Sequence, residues 1–314
     1  MTDEILNTKA TFEDLVNKAN DIQSKCQDSV VDAIIILMTE DLPINGMMLS
    51  PLATGELCGK LRIPGRYFSR MVEAKQNQLA ADNVNTWLVN DKRQFMLREY
   101  DGHIRGIMSG SYSQYDAPDI LASIQTVFGN DRFTLKGSFI NEERLHMRLV
   151  ENQKLDIENE DLFAGITIDS SDVGRSGLYA DLFIYKQICT NGLKVRRAQY
   201  EIFRQKHIGI TSDEFEQGLE DGLNIFDEVK DKVKDMIIET KKYPVQEDID
   251  ALKENVKKQT LLSDDDVTEV FDLAAVKYND NTMWGIINGI TEVAQKFTLE
   301  RRLQLEEIAG SMIK

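Results

Sequence analysis

A chain of 314 residues with 42% hydrophobic and 29% charged side chains can bury a substantial core and build more than one lobe. Its longest apolar run, Ala33 to Met38, is too short to span a bilayer; the acidic stretch MTDEILNTKATFEDL carries no signal-like region, and the three cysteines (Cys26, Cys58, Cys189) are too few and too scattered for a disulfide framework. A cytoplasmic protein with no membrane segment is therefore expected. Its formal charge of −16 is unevenly placed, because Thr211 to Asp280 holds 20 acidic and 9 basic residues.

Residues 1–55 read as a helix, an apolar strand or helix at Ala33 to Met38, and a loop marked by Pro43, Gly46 and Pro51, together a covering segment. ELCGKLRIPGRYFSRM then sets Leu57, Leu61, Phe68 and Met71 at helical spacing around a Pro64-Gly65 break, which is helix, turn, helix. Lys60, Arg62, Arg66 and Arg70 would suit a DNA-reading helix, but a packing role is the favoured reading for so short a hairpin. From Trp87 the pattern turns to short segments: TWLV, RQFMLREY and HIRGIMSGSY, then a helical PDILASIQTVF, then RFTLKGSF and ERLHMRLV. Asp101-Gly102 between two of them is a strong hairpin signal. LFAGITIDSSDVGRSGLYADLFIYKQICTNGL reads as a strand, a glycine-bearing turn, and a strand or buried helix ending at Asn191-Gly192.

Beyond Ile210 the periodicity is helical. Thr211 and Glu214 form a capping box, followed by Phe215, Leu219, Leu223, Phe226, Val229, Val233 and Ile237 at spacings of three and four. Pro244 ends that helix, further helices begin near Gln246 and Ser263, and one long helix is expected from Thr282 onward. The fold class is α+β: an antiparallel sheet core with hairpins and packed helices, plus a mainly helical acidic C-terminal lobe. The expected organisation is a covering segment at 1–55, the α+β core at 56–210 and the helical lobe at 211–314.

Chemistry-bearing motifs are sparse. His103, His146 and His207 stand apart and no cysteine pair has ligand spacing, so no metal is called. GRSGLY matches no phosphate loop, and neither GRSG nor MSGSYS matches a nucleophile elbow. No catalytic residue and no cofactor is assigned. The remaining constellation is Lys194, Arg196, Arg197, Arg204, Lys206 and His207, interleaved with Tyr200 and Phe203, and joined by Arg93, Arg98 and Arg105 of the hairpin region. Cations neutralise phosphates and aromatic faces stack on unpaired bases, which is the composition of a single-strand groove. The competing reading pairs the same cations with acidic helices inside the monomer, and sequence leaves both open.

RIPGRYFSRM, NVNTWLVN, LREYDGHIRGIMSGSYSQYDAPDIL, ICTNGL, KHIG and MWGIINGITEVAQ with ERRLQLEEIAG together resemble the phage and plasmid proteins grouped as domain of unknown function 932, over roughly residues 56–310. SSDVGRSG departs from the Asn-Ser-Glu-like turn expected there. The resemblance implies a phage, prophage or plasmid context in a bacterial host and brings no catalytic residues. The leading expectation is a DNA-metabolism protein that binds single-stranded DNA, an oligomeric single-strand annealing protein using repetition for affinity. The alternative is a phage-encoded counter-defence factor whose acidic helical lobe engages a host protein.

Overall fold

The structure, a computed structural model, describes residues 6–129, 131–186, 191–194, 201–245 and 249–313. It is α+β, with nine strands in two antiparallel sheets and ten α-helices among the described residues.

Helix α1 (Phe12–Ser24) starts where Thr11 and Asp14 exchange side-chain and backbone hydrogen bonds, so both orphan N–H groups are satisfied. Strand β1 (Cys26–Asp32) follows, then a 3-10 turn at Ala33–Ile35. CQDSVVD has no clean apolar alternation. Its conformation is set by full-length antiparallel pairing with β2 (Gln94–Tyr100), from Cys26 opposite Tyr100 to Asp32 opposite Gln94. Strand β3 (His103–Ser109) completes a sheet of order β1-β2-β3. Asp101 and Gly102 take φ values of 47° and 82°, the left-handed pair that a tight hairpin requires.

Helices α2 (Pro51–Lys60), α3 (Gly65–Glu73) and α4 (Asn77–Leu88) pack on this sheet around Leu57, Phe68, Val84, Leu97 and Ile107. The predicted helix-turn-helix is present. TWLV, however, is the end of α4 rather than a separate segment: Ala80, Ala81, Val84 and Leu88 repeat at helical spacing and are buried together.

The larger sheet contains β4 (Phe133–Ile140), β5 (Leu145–Lys154), β6 (Leu162–Ser170), β7 (Leu178–Lys186), β8 (Asn191–Lys194) and β9 (Glu201–Gln205). Its order is β4-β5-β6-β7, and β8 and β9 lie end to end along the outer edge of β7. Asn191-Gly192 thus opens a strand, where the sequence suggested an end, because Asn191 pairs with Lys186 of β7. Strict alternation separates the two faces. Leu145, Met147, Ile166, Ile168, Leu182 and Ile184 join the apolar core, whereas His146, Arg148, Asp169, Asp181 and Phe183 occupy the opposite face.

Helices α5 (Ala117–Phe128), α6 (Ser212–Thr240), α7 (Ile249–Thr260) and α8 (Asp264–Asp272) follow the expected pattern, with Thr211 and Ser263 capping α6 and α8. The expected last long helix is two: α9 (Met283–Val293) and α10 (Leu299–Ser311), separated by a 3-10 turn and by Phe297 in extended backbone. Phe215, Phe226, Val233, Trp284 and Ile290 share one apolar cluster with Ile166 and Leu182. The C-terminal helices therefore complete the core of the larger sheet. Within α6, a Cβ at Gly222 would sit 2.4 Å from Ile202 of β9, so helix and strand meet at a distance only glycine permits.

Candidate nucleic-acid interface

Strand β9 sorts the expected binding residues onto different sides. Arg204 lies opposite Tyr179 of β7, and its guanidinium stands 4.3 Å from that ring's centroid. Arg204 is exposed, Tyr179 half-buried, and Lys206 is exposed just beyond the strand. Phe203 faces the other way, with its ring 5.2 Å from Phe215 against α6. Phe203 is thus a packing residue, not a free stacking platform. Arg196, Arg197 and Tyr200 lie outside the described residues, as does Cys189.

Lys194 is buried, 2.8 Å from Asp181 and 3.3 Å from Asp169. It belongs to an ionic belt across the polar face of the sheet. Burial alone would raise the Asp169 carboxyl, but His146, Lys194 and Arg144 outweigh it and hold the carboxyl well below the usual range. His146 Nδ1 donates to Asp169 at 2.9 Å, and burial keeps the imidazole neutral against that pull. In this tautomer Nε2 accepts from Arg148 Nε at 3.4 Å, so the imidazole's second nitrogen meets an arginine instead of an open pocket. Arg148 in turn pairs with Glu306 of α10 at 2.5 Å. Each charge in the belt is answered by another, as burial in a low-dielectric interior demands.

A second polar cluster joins the two sheets. Arg98 of β2, 1% exposed, forks to Asp28 of β1 and Asp116 at the start of α5, and also donates to the Asp172 carbonyl at 2.5 Å. Asp172 lies in SSDVGRSG, the turn between β6 and β7. Tyr112 donates to the Ser171 carbonyl at 2.9 Å, and Ser171 donates to the Glu143 carbonyl at 2.7 Å. Gly106 of β3 leaves room for Val173, which a Cβ would approach to 2.9 Å. This turn is therefore the plug by which the larger sheet docks onto the smaller. Asp172 is pushed up to about 7, first by burial and then by the charge of Asp116.

Arg105 and His207 are also interior. Arg105 donates to the Glu142 carbonyl and stands 5.6 Å from the Tyr100 ring centroid. His207 stacks on Tyr112 with centroids 5.3 Å apart and meets Ser170 Oγ at 3.1 Å. Burial, then repulsion from Arg98, push its imidazole down to about 4, so it is neutral at physiological pH. Lys194, Arg98, Arg105 and His207 were expected to face phosphates. All four are spent inside the molecule, because each lies on a strand or turn whose neighbours supply carboxylates, carbonyls or an aromatic face. Arg93 is exposed but held by Asp91 at 2.5 Å and lies over Phe95.

Tyr179 went unnoticed in the sequence, although alternation in LYADLFIYK already sets it opposite Leu178 and Ala180; its nearness to Arg204 follows only from the β7–β9 pairing. Among the described residues no group of three His, Cys, Asp or Glu side chains is placed to hold a metal ion, and no helix is long and apolar enough to cross a membrane.

A family model described as Domain of unknown function (DUF932) matches residues 105–309, from β3 through α10. The resemblance traced over 56–310 is thus matched from Arg105 onward, and helices α2 to α4 lie outside the match. No curated protein and no solved structure matches the chain.

Proposed function

Since this chain belongs to the DUF932 family, whose description assigns no activity, we propose its function from the exposed edge of its larger sheet: it binds single-stranded DNA in the DNA metabolism of a phage or plasmid. The observation that carries this reading is the Tyr179–Arg204 pair, an aromatic ring and a guanidinium stacked on the open side of the sheet with exposed Lys206 beside them. Such a pair offers a π-face to a base and charge to its phosphate, which suits recognition without sequence preference. Arg196, Arg197 and Tyr200 follow β8 and precede β9 in the chain and extend the same composition. In an oligomeric annealing protein, repetition of this edge around the assembly would multiply a weak contact.

Fluorescence anisotropy with a labelled single strand at two salt concentrations tests the reading. Arg204→Glu/Lys206→Glu is expected to weaken binding at least tenfold and to flatten the log–log salt dependence by ~1.4, at ~0.7 per phosphate contact. Wild-type affinity in that folded variant, or no binding by the unmodified protein at low salt, would overturn it. The second outcome would favour the alternative of a phage-borne counter-defence protein acting through its acidic helices, which rests on the exposed carboxylates Asp264 and Asp265 in the first turn of α8.

A further inference from the structure

Helix α3 packs through one face only. Phe68 and Met71 anchor it to the core shared with α2 and α4, while Arg66, Tyr67, Ser69, Arg70 and Glu73 are exposed. Exposed Arg62 lies in the turn before it and exposed Lys75 just after it, with φ values of 56° and 57°, a region glycine occupies more cheaply. The side chains of Arg62, Arg66, Arg70 and Lys75 make no hydrogen bond or ion pair among the described residues. Among the arginines this sets Arg62, Arg66 and Arg70 apart from Arg93, Arg98, Arg132, Arg144, Arg148 and Arg175, which all meet carboxylates.

In a chain with 53 acidic residues, the stretch 51–75 holds five cations (Lys60, Arg62, Arg66, Arg70, Lys75) and only two carboxylates. One of these, Glu56, points inward and accepts the Ile107 N–H at 2.6 Å. Arg66 and Arg70 stand one turn apart on the same edge of α3, where like charges repel. Among the described residues no carboxylate forms an ion pair with either arginine, Glu73 one turn beyond Arg70 being the one acidic residue of α3, and an anion from outside would offset the repulsion.

The shape of the patch selects the anion. A single-strand site tracks the nucleic-acid backbone along a basic groove and stacks bases on aromatic faces within it. Helix α3 is instead convex and carries one exposed ring, Tyr67. A helix with its side chains is about 10–12 Å across, and the major groove of duplex DNA is about 12 Å wide and admits one. Helix α3 is also the second helix of a helix-turn-helix, the element that such proteins insert.

We propose that α3 is a duplex-DNA contact, with Arg66, Ser69 and Arg70 directed at base edges and Arg62 and Lys75 at the flanking phosphates. This site is separate from the β7–β9 edge and does not depend on the single-strand reading. Together the two would let one chain hold a duplex and an unpaired strand side by side.

The test titrates the full chain into a labelled 20-base-pair duplex, and separately into one of its strands, at low salt. Arg66→Glu/Arg70→Glu is expected to lose at least tenfold in duplex affinity and to keep single-strand binding within about threefold, with an unchanged circular dichroism spectrum. Lys232→Glu/Lys258→Glu, which changes net charge equally on exposed positions of α6 and α7, is expected to bind duplex like wild type. Arg66→Gln/Arg70→Gln serves if the glutamates disturb folding, with the same expected loss. The proposal is overturned if the unmodified protein binds no duplex, if the α3 variants bind it as tightly as wild type, if the control loses as much, or if duplex and single-strand binding fall together. Loss of single-strand binding in Arg204→Glu/Lys206→Glu alone bears only on the earlier reading.

Discussion

Replacing Arg98 with Met keeps an unbranched stem in place of the arginine methylenes and removes every donor of the guanidinium at the junction of the two sheets. In the native structure the guanidinium donates to Asp28 at 2.8 and 2.6 Å, to Asp116 at 2.7 and 2.8 Å, and to the Asp172 carbonyl at 2.5 Å. Without it, Asp116 stays buried with its charge unanswered, and the turn at 171–173 loses its link to β2. Removing one partner of a buried ion pair costs ~3–5 kcal/mol. An unfolding entropy of about 2.1 cal/mol/K per residue over this chain is about 0.66 kcal/mol/K, so the melting temperature should fall by about 5–8 °C.

Scanning calorimetry at pH 7.5 reads this directly, and repeating it at pH 5 adds a sign. Burial first, with Arg98 opposing, already raises the Asp116 carboxyl in the native protein. Losing Arg98 raises it further, so the orphaned carboxyl takes up a proton on acidification and the deficit shrinks as pH falls. Arg98→Lys should recover little, since one ammonium cannot span three acceptors set by a planar fork. A loss below about 1.5 °C at pH 7.5, a deficit that grows at pH 5, or full rescue by lysine would refute the keystone role.

Asp172→Asn should be as stable as wild type or more so at pH 8, and the two should converge near pH 4 on thermal melts. A carboxyl raised to about 7 contributes stability that is fully present below its unfolded value near 4 and lost as pH rises through 7, whereas the amide does not titrate. An equal deficit for the variant at both pH values would count against that assignment. Gly222→Ala should destabilise by ~1–3 kcal/mol despite a helix-propensity gain of at most ~1 kcal/mol, because its Cβ meets Ile202 Cγ2 at 2.4 Å and the Ile202 carbonyl at 3.0 Å. A raised melting temperature would show that β9 can withdraw from α6 at little cost.

The sequence by itself determined most of the elements and the α+β class, because those signals are local. The Thr211–Glu214 capping box, the Asp101-Gly102 turn and the Pro64-Gly65 break depend on neighbours a few residues away, and each is where the pattern put it. Where local signals were mixed, long-range pairing decided. CQDSVVD became a strand through β2, and Asn191-Gly192 joined β8 through β7.

The candidate site was less legible, since a cation's role depends on which side of a strand it occupies and what lies across from it. Arg98 and Arg105 sit in a run that reads as basic, yet carboxylates and a carbonyl far along the chain absorb both. Arg66 and Arg70 looked like decoration on a packing hairpin, and exposure without partners is what sets them apart. SSDVGRSG was read as a turn, and it is one; that it docks one sheet against the other follows from Arg98, Tyr112 and Glu143, which only folding brings to it. Periodicity and turn chemistry are written in consecutive residues, whereas the pairing of buried charges is a property of distances that the chain acquires once its two sheets meet.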